Sequence, residues 1–213
     1  MKRLWPLPDG RRVDLNYFVR WRPWLWAKPV ANVITFFGDL RGKHVLEIGG
    51  RDARMTAFFA LLGARVTMID KHTDPEGPAE LQKWNVADRV RLIRTTGGLE
   101  EIAGERFDAV FTKSVLAVVA DRGPFLDALA RLLAAGGKVA FIENCHGGRF
   151  LQWLRYKVVH RRNFDQWESR QYVGFTADEL DLFRQRFADV RVRRHRMLTY
   201  EILGRKKEDT PAS

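Results

Sequence analysis

From Lys43 onward, short apolar runs alternate with longer stretches whose apolar residues recur at helical spacing. Val45-Leu46-Glu47-Ile48 reads as a buried strand, and Gly49-Gly50 follows it as a turn. Residues 55–62 predict a helix that Gly63 can close, and Arg65-Val66-Thr67-Met68-Ile69-Asp70 predicts a second strand. The same alternation predicts a helix over 76–86, strands over 89–93 and 107–111, a helix over 124–133 and a strand over 138–142. Strands separated by helices argue for βαβ units and a parallel sheet covered on both faces. Thr176-Ala177-Asp178-Glu179 has the spacing of a capping box, so a helix is expected from there to about Phe187. Two closing strands, 190–194 and 198–203, are separated only by His195-Arg196-Met197. So short a link cannot make a right-handed crossover, which predicts an antiparallel hairpin.

Composition narrows the class. The 213 residues suit one domain, and 46% hydrophobic with 30% charged residues fit a folded globule better than a disordered or fibrous chain. The single cysteine, Cys145, excludes an internal disulfide framework and a four-cysteine zinc site, and fits a reducing compartment. No apolar run reaches the roughly 18 residues of a membrane-spanning helix. The basic start Met1-Lys2-Arg3 has no apolar core behind it, so a cytoplasmic protein is expected. Charge is the outlying property: 37 Lys+Arg against 26 Asp+Glu gives +11. That suits RNA, anionic lipid or a phosphorylated substrate, and selects none of them.

The candidate site lies where open parallel sheets bind ligands, at the carboxyl ends of the strands. Glu47 closes the first strand, and Gly49 and Gly50 follow where a side chain would block a ligand's approach to the backbone. Asp70 ends the second strand, 21 residues past Gly49, at the position of a carboxylate that accepts both hydroxyls of a ribose. Taken alone, the glycine pair reads equally as a plain tight turn; the acidic residues on either side point to a nucleoside. A dinucleotide turn is badly matched, because Arg51 and Arg54 stand where that fingerprint needs glycine.

Glu47-Ile48-Gly49-Gly50-Arg51-Asp52-Ala53 resembles the first motif of the class I S-adenosylmethionine-dependent methyltransferases, an acidic residue followed by glycines at alternate positions. The resemblance runs from Lys43 to Lys206 and includes the closing hairpin. It implies a Rossmann-like, doubly wound seven-stranded sheet, mostly parallel with an antiparallel last strand. It also implies S-adenosylmethionine as cofactor, with Asp70 and neighbouring Lys71 at the ribose and the Gly49-Gly50 backbone and Arg51 by the methionine moiety. Glu47 belongs to the same group, Thr96 stands where an acidic residue often meets the adenine amine, and Lys113 and Ser114 match the segment lining the methyl-transfer face. Arg51 and Ala53 depart from the motif, since the family carries glycine there. On this reading the chain is one domain. Residues 1–42 form a helical, aromatic cap, 43–145 the cofactor half, 146–206 the substrate side with its hairpin, and 207–213 a tail. Glu-Ile-Gly-Gly-Arg-Asp, Thr-Lys-Ser-Val-Leu (112–116) and Glu143-Asn144 with Phe150-Leu151 further resemble small methyltransferases of cell-surface polysaccharide gene clusters. That likeness implies a sugar or lipid-linked glycan as acceptor.

Methyl transfer from a sulfonium is an in-line displacement, so the protein contributes mainly by alignment. An oxygen acceptor also needs a general base within hydrogen-bond reach. The loop after the fifth strand, Glu143-Asn144-Cys145-His146-Gly147-Gly148, lies at the correct end of the sheet. His146, titrating near neutrality, is the preferred base; Glu143 is the alternative, as base or hydroxyl acceptor. Asn144, Arg149 and Trp153 are placed on the acceptor side, and no metal site is expected. The aromatic-basic stretches 17–26 and 150–162 read either as helices packed on the sheet or as a lid and platform over the strand ends. Trp and Arg on an amphipathic helix also suit peripheral contact with an anionic bilayer. An RNA or nitrogen acceptor, and a non-catalytic member of the fold, remain the competing functions.

Overall fold

The computed structural model describes residues 2–20, 22–72, 75–119, 121–144, 158, 179–196 and 199–208, with Asn144 as backbone only. Seven strands form one sheet: β3 (His44–Ile48), β4 (Arg65–Asp70), β5 (Val90–Arg94), β6 (Phe107–Lys113), β7 (Leu133–Asn144), β8 (Phe187–His195) and β9 (Thr199–Lys206). Their order is β5-β4-β3-β6-β7-β9-β8. Strands β3 to β7 are parallel, and β9 runs antiparallel to both β7 and β8. The expected fold class is therefore the observed one, and the hairpin forms with His195 opposite Thr199. The chain winds outward from β3 to β5, then returns to place β6 on the other side of β3. This makes the carboxyl end of the β3/β6 pair the topological switch point, where such sheets leave a crevice.

Successive residues of each central strand face opposite layers, and both layers are apolar. Val45, Phe111, Ala140, Ile142 and Leu203 share one core with Phe58 and Phe59 of α3 (Arg54–Leu61) and with α2 (Pro23–Phe37). Leu46, Val110, Val139, Phe141 and Ile202 pack with α5 (Arg122–Leu132) and with Phe183 of α6 (Leu180–Arg186) on the other face. Burial on both faces is why these strands read as near-continuous apolar runs rather than alternating ones.

The N-terminal segment departs most from expectation. Leu4–Pro6 (β1) and Arg12–Asp14 (β2) pair as a small antiparallel ribbon. Its turn is Leu7-Pro8-Asp9-Gly10, with Gly10 at φ 84° and its N–H on the Leu7 carbonyl at 3.1 Å. Asp14 then caps α1 (Leu15–Val19) by accepting from the Asn16 N–H at 3.0 Å. In α2, Leu25, Trp26, Val30, Val33, Ile34 and Phe37 are buried, so this helix packs its apolar face on the sheet. Asn32 donates to Glu201 at 2.7 Å, and Lys138 Nζ donates to the Phe36 and Phe37 carbonyls at 2.9 Å, fixing the helix across β7 and β9. Of residues 150–162 only Val158 is described, and it is exposed; the lid reading of that stretch lies outside the described residues.

Helix boundaries moved for local reasons. α5 begins at Arg122 because the Asp121 side chain accepts the Gly123 N–H at 3.2 Å, with Pro124 tolerated in the first turn. α4 (Glu76–Lys83) stops short of the expected 86, and Asn85 takes a left-handed φ of 54°. The capping-box residues 176–178 lie outside the described residues; Glu179 precedes α6 directly.

Candidate functional site

The turn between β3 and α3 needs its glycines for two different reasons. Gly49 has φ 81°, and a Cβ there would stand 2.6 Å from Val115 Cγ2. A Cβ on Gly50 would stand 2.5 Å from Met68 Cγ and 3.0 Å from Glu47 Cδ. Arg51 and Ala53 also lie in the left-handed region, at φ 40° and 57°. Positions 49, 51 and 53 thus share one backbone requirement, which explains the alternate-glycine spacing; here two of the three carry side chains and the associated strain of about 1 kcal/mol each. The Arg51 side chain is exposed.

Beneath that turn, Glu47 is only 3% exposed and accepts a 2.5 Å hydrogen bond from the Thr56 hydroxyl. Burial pushes its carboxyl up to about 7, against the pull of Thr56 and Lys113. Expected to meet the cofactor, Glu47 instead lies under Gly50 and supports the turn from inside. Lys113 ends β6 with its Nζ 3.4 Å from the Val19 carbonyl; desolvation lowers its ammonium while Glu47 and Asp52 oppose the shift. Ser114 follows at φ 59°, its N–H on the Ile142 carbonyl at 2.8 Å.

Asp70 stands at the end of β4, partly exposed and oriented by backbone. Its Oδ2 accepts the Arg51 N–H and its Oδ1 the His72 N–H, each at 2.8 Å. Each oxygen keeps lone-pair capacity for a further donor, which is what a vicinal diol requires. Lys71 and Thr96 come to the same edge. The Lys71 Cε lies 2.6 Å from where a Gly97 Cβ would be, and Thr96 is exposed. Thr95 holds this edge, its N–H on the Asp70 carbonyl at 3.0 Å and its hydroxyl donating to the Gly98 carbonyl at 3.0 Å. The residues present therefore suit an adenosyl group: an open glycine turn, an oriented carboxylate beside it, and a strand-end edge beyond.

Glu143 is placed differently from expectation. It is fully buried, and its Oε1 accepts the N–H groups of Val115 at 3.1 Å and Leu116 at 3.2 Å, whereas Oε2 has no partner among the described residues. Burial raises its carboxyl to about 7, with those N–H groups and Arg122 pulling it down. It grips the loop that follows β6. The Asn144 backbone pairs with Thr199; the side chain of Asn144, and all of His146, Arg149 and Trp153, lie outside the described residues.

Other parts of the site had no sequence signal. Arg20 donates to Asp52 at 2.6 Å, and the Arg54 guanidinium lies 4.6 Å over the Tyr17 ring, so α1 is joined to the glycine turn. His195 Nε2 meets Glu201 Oε2 at 2.8 Å, both residues buried and held against α2 by Asn32. Arg20 and Asp52 are 32 residues apart and Asn32 and Glu201 169, beyond any local pattern.

Residues 46–141 match a protein-family model described as a methyltransferase domain. Over that stretch, less than half of the chain, the sequence is similar to a methyltransferase domain. A ubiquinone biosynthesis O-methyltransferase from Dechloromonas aromatica is 35% identical over 103 residues, covering 47% of this chain and 44% of the relative, so this chain spans less than half the relative's length. A protein-L-isoaspartate O-methyltransferase from Methylorubrum populi is 28% identical over 169 residues, 78% of this chain and 69% of its own. Among solved structures, the N-methyltransferase NodS from Bradyrhizobium japonicum WM9, in complex with S-adenosyl-L-homocysteine, superposes with TM-score 0.62 at 15% identity over 89% of this chain and 91% of its own. That likeness shows a shared fold. The resemblance to class I methyltransferases read from the Glu47–Ala53 motif is thereby borne out for the methyltransferase domain and its fold.

Proposed function

We propose that the protein uses S-adenosylmethionine to methylate an oxygen of a sugar or lipid-linked glycan acceptor. The observation that carries the cofactor assignment is Asp70: a carboxylate at the switch-point crevice, aimed by two backbone N–H groups and able to accept two more hydrogen bonds. Bound there, the cofactor supplies an electrophilic methyl group on a sulfonium. Asp70 accepts the ribose hydroxyls, the Gly49-Gly50 backbone admits the methionine moiety, and Lys71 and Thr96 border the adenine. Lys113 and Ser114 line the transfer face. His146 would take the acceptor proton as the new C–O bond forms and the methyl C–S bond breaks, the thioether leaving neutral. Asn144, Arg149 and Trp153 hold the acceptor.

Support for an oxygen acceptor comes from relatives named as O-methyltransferases. Trp24, 56% exposed with the Arg196 guanidinium 5.6 Å from its ring, and the +11 charge support work close to an anionic membrane surface. Among the described residues no helix is long and apolar enough to cross a membrane. The relatives named for ubiquinone biosynthesis favour a second reading, a hydroxyl on a lipid-borne ring. Calorimetry with S-adenosylhomocysteine tests the cofactor: Asp70→Ala should weaken binding at least a hundredfold, and unchanged affinity would refute the assignment. Labelled methyl transfer into glycan-lipid, quinone-lipid and RNA fractions, across a salt series, separates the acceptors; label in RNA alone sinks the glycan reading.

A further inference from the structure

The loop after β6 is held from both sides by buried charge. Glu143 Oε1 collects the Val115 and Leu116 N–H groups, while Arg122, 6% exposed, donates from Nε to the Leu116 carbonyl at 3.0 Å. Arg122 also pairs through Nη1 with Glu179, the residue that opens α6 directly after the acceptor-side stretch. The loop needs such holding, because it starts at Ser114 in a left-handed conformation that persists only where its surroundings over-determine it. Its position matters to the crevice: Val115 Cγ2 occupies the space a Cβ on Gly49 would need, so the loop forms the back wall of the glycine turn.

We infer that Glu143 and Arg122 are positioning residues that fix the loop 114–118 against the glycine turn, and that Glu143 is not the base. The inference builds on the methyltransferase reading for what the loop is positioned to do. A base must come within about 2.6–3.2 Å of the acceptor proton. Glu143 is fully buried and its Oε1 is already occupied by two backbone donors, while Oε2, without a partner among the described residues, is itself buried away from solvent. The groups facing it are the loop N–H groups, the Arg122 guanidinium from α5 and, across the ladder, Tyr200 of β9. A buried carboxylate set against amide dipoles and one cation is a fully engaged network on its Oε1 side, whose loss frees the loop rather than a proton.

The two roles separate on the amide variant, since the glutamine carbonyl still accepts both N–H bonds but cannot take a proton: a base would lose most of its labelled methyl transfer on Glu143→Gln, and a positioning residue would keep it. Amide exchange at Val115 and Leu116 in the ligand-free full chain, with calorimetry of S-adenosylhomocysteine binding, provides the readout. Glu143→Ala should speed exchange at both amides at least tenfold and weaken binding about tenfold, whereas Glu143→Gln should leave both within about twofold of the parent. Glutamine as damaging as alanine, or unchanged protection in the alanine variant, overturns the inference. Should Glu143→Ala fail to fold, Arg122→Leu leaves Glu143 in place and removes the bond to the Leu116 carbonyl. Faster exchange at the same amides supports the proposal, and unchanged exchange defeats it. A parent protein that binds no adenosylhomocysteine would defeat the functional reading alone, because the exchange arm stands without ligand.

Discussion

Glu47 and Glu143 are the same side chain in nearly the same situation, yet they do different things. Each closes or nearly closes a central strand at the carboxyl end, each is buried, and burial lifts each carboxyl to about 7. They sit on opposite faces of the sheet. Glu47 is satisfied by one side-chain hydroxyl, Thr56, and by the charge of Lys113; Glu143 is satisfied by two backbone N–H groups and by the charge of Arg122. The first supports a turn from below, the second pins a loop. A perturbed carboxyl at a strand end is therefore no signature of acid–base work on its own. What distinguishes the three acids is access: Glu47 and Glu143 are buried, whereas Asp70 is partly exposed at the end of its strand.

The largest expected effect tests what the two glutamates share. A carboxyl raised from 4.5 to about 7 keeps its proton in the folded state where the unfolded chain has released it. Its stabilising contribution is thus complete below about pH 4.5 and lost as pH rises through about 7, by up to about 3 kcal/mol for each residue. Urea unfolding across pH 4.5 to 8 should show stability falling, and Glu47→Gln or Glu143→Gln should each remove about half of the slope. Half-buried His44, lowered by desolvation, adds a slope of the opposite sign in this window, so the glutamine variants carry the test: a profile that neither substitution changes would mean that neither carboxyl is desolvated. Asp39, held down to about 2 by Arg41, acts only at lower pH.

A smaller effect splits the pair. Gly50→Ala forces a methyl against Met68 and Glu47, and should cost about 2 kcal/mol while disturbing Glu47 alone of the two. Chemical denaturation gives the size, and a neutral substitution would show that the turn has slack. The smallest effect concerns the backbone above Glu47. Arg51→Gly relieves a side chain held at φ 40° and should raise stability by about 1 kcal/mol. Loss of stability instead would mean that the Arg51 side chain makes a contact worth more than the strain.

The same contrast marks the limit of what the sequence reveals. The position of Asp70 at a strand end beside the glycine turn was legible, because it follows from the order of the first strands and a spacing of 21 residues from Gly49. The central parallel strands were legible because burial on both faces leaves apolar runs, as in Val45-Leu46 and Ala109-Val110-Phe111. Glu143 was found without its partners: Val115 and Leu116 are 28 and 27 residues away, and no periodicity reports which backbone donors a strand-end acid will meet. Arg122 went unnoticed for the same reason. The β1–β2 ribbon was missed although Pro8-Asp9-Gly10 is turn chemistry, because its three-residue strands are too short to show alternation.

The ties from Arg20 to Asp52 and from Lys113 to the Val19 carbonyl have a practical corollary. The stretch recognised as the methyltransferase domain, 46–141, is not the unit that folds. Cut out alone, it would bare Phe59 and Phe111 where α2 now lies and Phe141 where α6 and β9 now lie, leaving two greasy faces and a lysine without its carbonyl. A shortened protein meant for crystallisation or screening must keep the first forty residues and the final hairpin, or it will be recovered as aggregate.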